Sequence, residues 1–125
     1  MSKQFVIVGA AFGFFGVALG AFGAHALKQR LEPDLFDIFE VGVRYHMYHA
    51  LAIIAVGLAA AQWPGSMIHV AGWLFAVGIA IFSGSLYVLA ITGTKWFGAI
   101  TPIGGIAFLA GWLMVVYHVW KLKVQ

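Results

Sequence analysis

The chain has 125 residues, 63% hydrophobic and 9% charged, with a formal net charge of +3 and a mean hydropathy of +0.99. A water-soluble domain carries about 25% charged residues, so this chain lacks the polar atoms to cover a solvated surface and reads as a single membrane domain. Cysteine is absent, which excludes disulfides, thiolate catalysis and cysteine-ligated metals. The lysines and arginines are scattered, with no basic cluster of the kind that grips nucleic acid.

The first element is Phe5–Ala26, 22 residues without a charge. At about 1.5 Å per residue it reaches roughly 33 Å, enough for a hydrocarbon core of about 30 Å. Gly9, Gly13, Gly16, Gly20 and Gly23 recur at a coiled-coil period, which predicts a helix edge stripped for close packing. Lys3 before this run and Ala24-His25-Ala26 at its end imitate a secretory signal. The run is longer than the about 7–15 residues of a signal core, so a retained span is expected.

Residues 31–44 form a separate unit. Pro33 suits a helix start, and Asp34, Asp37, Glu40 and Arg44 make one polar stripe on an otherwise apolar helix, with Glu40 and Arg44 at i,i+4. This predicts a short amphipathic helix at the membrane surface, either binding a partner or serving as a solvated connector. Gly42 is a candidate bend into the next span.

The second span is expected at 45–61 and the third at 67–91, separated by a Pro64-Gly65 turn, with Ser66 as N-cap. Ala76, Ala80 and Gly84 form a small-residue edge on the third span, and Gly93 stands at its C-terminus. The fourth span is expected at 102–120. Thr101 then caps it and Pro102 is its first residue, leaving 96–100 at the interface; alternatively 96–100 is already helical and Pro102 is a kink. Gly104, Ala107 and Gly111 make a further close-packing edge. Short connections give an all-α, antiparallel, integral membrane four-helix bundle with a short amphipathic interfacial helix between helices 1 and 2.

Three segments carry polar chemistry. His46 and His49 share a face at i,i+3 beside Tyr45, and His25 ends the first span on the same side of the bilayer. Three converging imidazoles can bind a metal or haem or hydrogen-bond a quinone; the plainer alternative is an interfacial belt or buried helix glue. Ser83 and Ser85 lack an accompanying base and acid, so they read as interhelical glue. Thr101, opening the fourth helix near Lys95, offers a helix N-terminus to a phosphate or carboxylate, or is an ordinary cap. The candidate ligand residues are therefore His25, Tyr45, His46, His49, Lys95 and Thr101, expected at one level of the bilayer. His69, His118 and the terminal lysines lie on the opposite side. No acidic residue falls within an expected span, which argues against proton-coupled export.

The segments Gly20-Ala21-Phe22-Gly23-Ala24-His25-Ala26-Leu27, Phe82-Ser83-Gly84-Ser85-Leu86-Tyr87 and Thr101-Pro102-Ile103-Gly104-Gly105, with His49-Ala50-Leu51 and Gly111-Trp112, resemble domain-of-unknown-function family 423. That family includes transmembrane protein 256 of animals and YwdK- and YgdD-like membrane proteins of bacteria. The resemblance covers nearly the whole chain and implies a small multi-pass protein of the bacterial inner membrane, but no reaction.

The expected function is non-enzymatic: a packing or assembly partner, or a binder of an apolar or lipid-like ligand. The alternative is a small transporter or channel subunit. No catalytic set and no obligatory cofactor are expected, with haem or quinone as the candidates if one binds. Partners are the lipid bilayer, further copies of the chain and a possible membrane protein. Lys3, Lys121 and Lys123 face Lys28, Arg30, Arg44 and Lys95 across the bilayer, so orientation is weakly specified. Both termini are expected to be cytoplasmic, with dual insertion as the alternative.

Overall fold

The computed structural model describes residues 2–123, folded as four long helices with no strand among them. They are α1 (Ser2–Leu27), α2 (Pro33–Gln62), α3 (Ser66–Thr92) and α4 (Lys95–Lys121), all long and apolar enough to cross a membrane. Wider i→i+5 turns interrupt α1 at Ala18–Gly23 and α3 at Ile79–Ser83. The turn signals fall where the residues place them. Gly65, not Ser66 as expected, is the N-cap of α3, Ser66 being its first residue, and no side chain caps it; Gly93 ends α3 at φ 70°, a left-handed conformation that glycine adopts without a Cβ clash.

Two boundaries differ from the sequence reading. The amphipathic segment is not a separate surface helix: Pro33–Gln62 is one helix of 30 residues. Gly42 is no bend. It stays helical and buried because it receives the Tyr87 ring; a Cβ there would lie 2.9 Å from Tyr87 Cε1. Asp34, Asp37 and Glu40 therefore ride on a membrane-length helix, at its entering end, rather than lying outside every span. In α4, Lys95–Ala99 forms a 3₁₀ turn and Thr101 begins the α-helix, so each reading of this region holds in part. Pro102 sits in the first turn, where its missing N–H removes no helical bond.

α2 and α3 are the central pair. In their most apolar windows 44% of residues are buried, against 17% in α1 and 22% in α4, which flank them. α1 runs antiparallel along α2, with Gly57 against Ser2, Gly9 against Ala50 and Ile54, Gly16 against Met47, and Gly20 against Val43. A Cβ at Gly9 would lie 2.8 Å from the Ala50 carbonyl oxygen, a true backbone approach.

Most other glycines are sockets for large side chains. Along the α3–α4 contact the direction alternates: Gly104 meets Phe82, Gly78 receives Phe108, and Gly111 receives Phe75. Gly72 receives Phe5 from α1. Lipid tails are as apolar as these side chains, so it is the density of such contacts, not removal from water, that holds the helices together. Three expected packing positions depart from this scheme. Gly13 and Gly84 have nothing within 4 Å of an added Cβ, and Ala80 is exposed, because no neighbouring helix covers those faces. Gly23 makes only ordinary contact, at 3.5 Å from Phe39.

Candidate functional site

The polar atoms of the bundle form two clamps on α2. His46 is the first. Its Nε2 lies 2.8 Å from the Phe12 carbonyl oxygen of α1, and its Nδ1 lies 2.8 Å from the Tyr87 hydroxyl of α3. A carbonyl only accepts, so Nε2 carries the proton and Nδ1 accepts from Tyr87 O–H. One imidazole thus joins three helices. Phe12 can accept because the residue one turn on is Gly16, whose absent side chain leaves the carbonyl open. A Cβ there would stand 3.3 Å from His46 Cδ2. One turn along, Ser83 donates to the Gly42 carbonyl at 2.7 Å, so Ser83 and Tyr87 of α3 engage Gly42 and His46 of α2 in parallel.

His49 is the second clamp and holds the opposite tautomer. Its Nδ1–H donates to the Tyr45 carbonyl at 2.7 Å, and its Nε2 accepts from Trp112 Nε1–H of α4 at 3.0 Å. The ring stacks on Phe108 with centroids 3.6 Å apart and 9° between planes. Phe75 stands 5.4 Å away on another side. Between α3 and α4, the Ser85 and Thr101 hydroxyls meet at 2.6 Å, and Ser85 also donates to the Phe82 carbonyl. Thr101 is thus a sideways tie between helices and not a cap.

The six expected ligand residues do not share one level. His46 and His49 lie midway along α2, Tyr45 flanks them on an exposed face, and Thr101 joins Ser85. His25 is exposed near the end of α1, and Lys95 is exposed at the start of α4. The three histidines do not converge, and among the described residues no group of three His, Asp or Glu is placed to hold a metal ion. With both nitrogens of His46 and of His49 engaged, neither ring offers a free lone pair to haem iron.

At the second clamp α4 is bridged to α2 by Phe108, stacked on His49, and by the Trp112–His49 bond. On one side of the bridge is a cavity of about 350 Å³ walled by Tyr45, His49, Phe82, Pro102, Phe108, Leu109 and Trp112. On the other is a cavity of about 140 Å³ walled by Ala52, Ala55, Ala59, Trp63, Val115 and Val119. Together they make an apolar cleft along α2. Sequence reasoning missed Trp112 and Phe108 as its walls, and it missed His118, which is buried and hydrogen-bonded to the Trp63 carbonyl at 2.8 Å. The signal was present: Gly104, Gly111 and His118 are seven apart and define the buried face of α4.

Residues 19–105 match the model of the family described as "Protein of unknown function (DUF423)". This chain belongs to the DUF423 family. Curated relatives span nearly all of it. The "UPF0382 membrane protein YwdK" of Bacillus subtilis is 45% identical over 91% of this chain and 94% of its own length. A UPF0382 membrane protein of Staphylococcus haemolyticus is 44% identical, covering 95% of this chain and 97% of its own. One of Haemophilus influenzae is 40% identical over 98% of both. No solved structure matches. Membrane residence of the DUF423 chain thus rests on its four spans and on relatives named as membrane proteins.

Proposed function

We propose that this protein is a non-enzymatic binder of a lipid-like chain, held in the cleft between α2 and α4. The observation that carries the reading is the cleft itself, an apolar cavity of about 350 Å³ with aromatic walls, in the size range of small-molecule sites. Both nitrogens of His49, its most buried polar side chain, are already paired with Tyr45 and Trp112, and the rest of the wall is mostly apolar and aromatic, so it suits an apolar chain. That pairing also favours a binder over the alternative, a small transporter, which needs a polar path at mid-membrane.

The test fills the cleft. A Cβ on Gly105 would meet only Phe82 Cδ2 at 3.9 Å and Cε2 at 4.0 Å, both ordinary contacts, and Gly105 lines the cavity. Gly105→Leu should fold and lose the lipid retained by gently purified wild-type protein in native mass spectrometry. Equal retention by the variant rejects the cleft as the site. Substrate flux above empty liposomes would instead favour transport.

Self-association is the second reading, favoured by the unfilled positions at Gly13, Ala80 and Gly84 on outward faces. Cross-linking in native membranes that traps only monomer counts against it. For localisation we propose the bacterial cytoplasmic membrane with both termini in the cytoplasm. A C-terminal fluorescent fusion should then be bright and a C-terminal alkaline phosphatase fusion inactive; the reverse pattern inverts the orientation.

A further inference from the structure

We propose that the cavity where α4 ends against the start of α3 holds the headgroup of a phospholipid that pairs a phosphate with a hydrogen-bond donor, as phosphatidylglycerol does. The proposal rests on the reading of the α2–α4 cleft as a chain site and names the other end of the same ligand.

The cavity measures about 310 Å³, and its lining includes Gly65, Ser66, His118, Lys121 and Lys123. Two lysines and the positive end of a 27-residue helix line it. No side chain caps that helix, so its first N–H groups are open to an acceptor. Lys121 rests 5.6 Å over the Tyr117 ring, an arrangement suited to the headgroup region.

His118 is the independent observation. It is only 7% exposed and lines this cavity. Its Nε2–H is committed to the Trp63 carbonyl at 2.8 Å, which leaves Nδ1 as a bare acceptor. That edge lies along Gly65, where an added Cβ would stand 2.6 Å from Cε1 and 3.4 Å from Nδ1. Among the described residues Nδ1 has no hydrogen-bond partner, and it is not among the side-chain atoms sealed from solvent. A phosphodiester alone satisfies the lysines and the helix end but, having no O–H, not this acceptor. A headgroup hydroxyl or ammonium beside the phosphate satisfies it.

A lipid fits better than a free anion because of Trp63. Its carbonyl holds His118 at the basic cavity, and its ring walls the apolar cavity of about 140 Å³ together with Ala59, Val115 and Val119. One residue therefore borders a headgroup site and a chain site.

Native mass spectrometry of the full chain in detergent, titrated with phosphatidylglycerol, phosphatidylcholine or sodium phosphate, tests this. Phosphatidylglycerol should bind about tenfold or more tightly than phosphatidylcholine, which has no donor and no net charge; that is the scale expected of two lysines near a membrane surface. The double variant Lys121→Gln/Lys123→Gln should lose this preference while retaining a lipid adduct. Equal affinity for the two lipids, or a preference untouched by the double variant, overturns the proposal. Displacement of phosphatidylglycerol by millimolar sodium phosphate overturns the lipid source in favour of a free-anion site. Gly105→Leu separates the two readings: if it keeps the phosphatidylglycerol preference that the lysine variant loses, the headgroup site stands and the cleft reading falls.

Discussion

His46 of the second helix reaches the main-chain carbonyl of Phe12 in the first, at 2.8 Å, through the gap left by Gly16. Met47 and the His46 ring share the space that Gly16 leaves, so a side chain there would press on both. Gly16→Leu should therefore cost about 1–3 kcal/mol, the usual range for an overfilled site. Gly13→Leu, with open space beyond it, should stay within about 0.5 kcal/mol. Unfolding in mixed micelles measures both. Equal costs would show that the seam is not where these contacts place it.

The His46–Tyr87 bond should be separable from the packing around it. Tyr87→Phe removes the hydroxyl and keeps the ring against Gly42. A double-mutant cycle with His46→Leu should return a coupling of about 0.6–2 kcal/mol, the scale of interhelical hydrogen bonds in membranes. A coupling of zero would reduce the contact to proximity.

Trp112→Phe should loosen the fourth helix without opening a large hole. It removes the N–H that His49 accepts, at 3.0 Å, and keeps an aromatic ring near Phe75. The expected loss is again about 1 kcal/mol. Cross-linking between cysteines placed on the outer faces of α2 and α4 should report a less constrained separation. An unchanged cross-linking pattern argues that ring packing alone fixes α4.

Gly104→Ala and Gly84→Ala should part widely. A Cβ at Gly104 meets the main chain of Phe82, which cannot yield like a side-chain tip, whereas one at Gly84 meets nothing within 4 Å. The first should lower the thermal midpoint in detergent and the second should leave it level or raise it slightly, since alanine favours helix over glycine by about 1 kcal/mol. A harmless Gly104→Ala would contradict the α3–α4 register.

Much of the fold was legible because membrane helices write their ends locally. Pro64-Gly65 and Gly93 mark turns in any context, and the uncharged run after Lys3 sets a span by length alone. Gly42 misled because a glycine within a helix reads as a weak point until the ring that occupies it is known, and Tyr87 is 45 positions away. The site was harder for the same reason. His46 and His49 share a helix face by spacing, yet one turns to α1 and α3 and the other to α4, a division set by tertiary neighbours. His118 looked peripheral because it is near the chain's end, although its seven-residue spacing from Gly111 already placed it on an inward face.

The hydrogen bonds of His46, His49, Ser83 and His118 end on the carbonyls of Phe12, Tyr45, Gly42 and Trp63. A carbonyl is common to all twenty residue types. The donors must therefore keep a donating group, while the acceptor positions, Gly42 beneath the Tyr87 ring excepted, can change identity and still answer. Drift in this protein should fall unevenly: Phe12 is free to become another residue of similar bulk, whereas His46 can be exchanged only together with the cavity shaped around it.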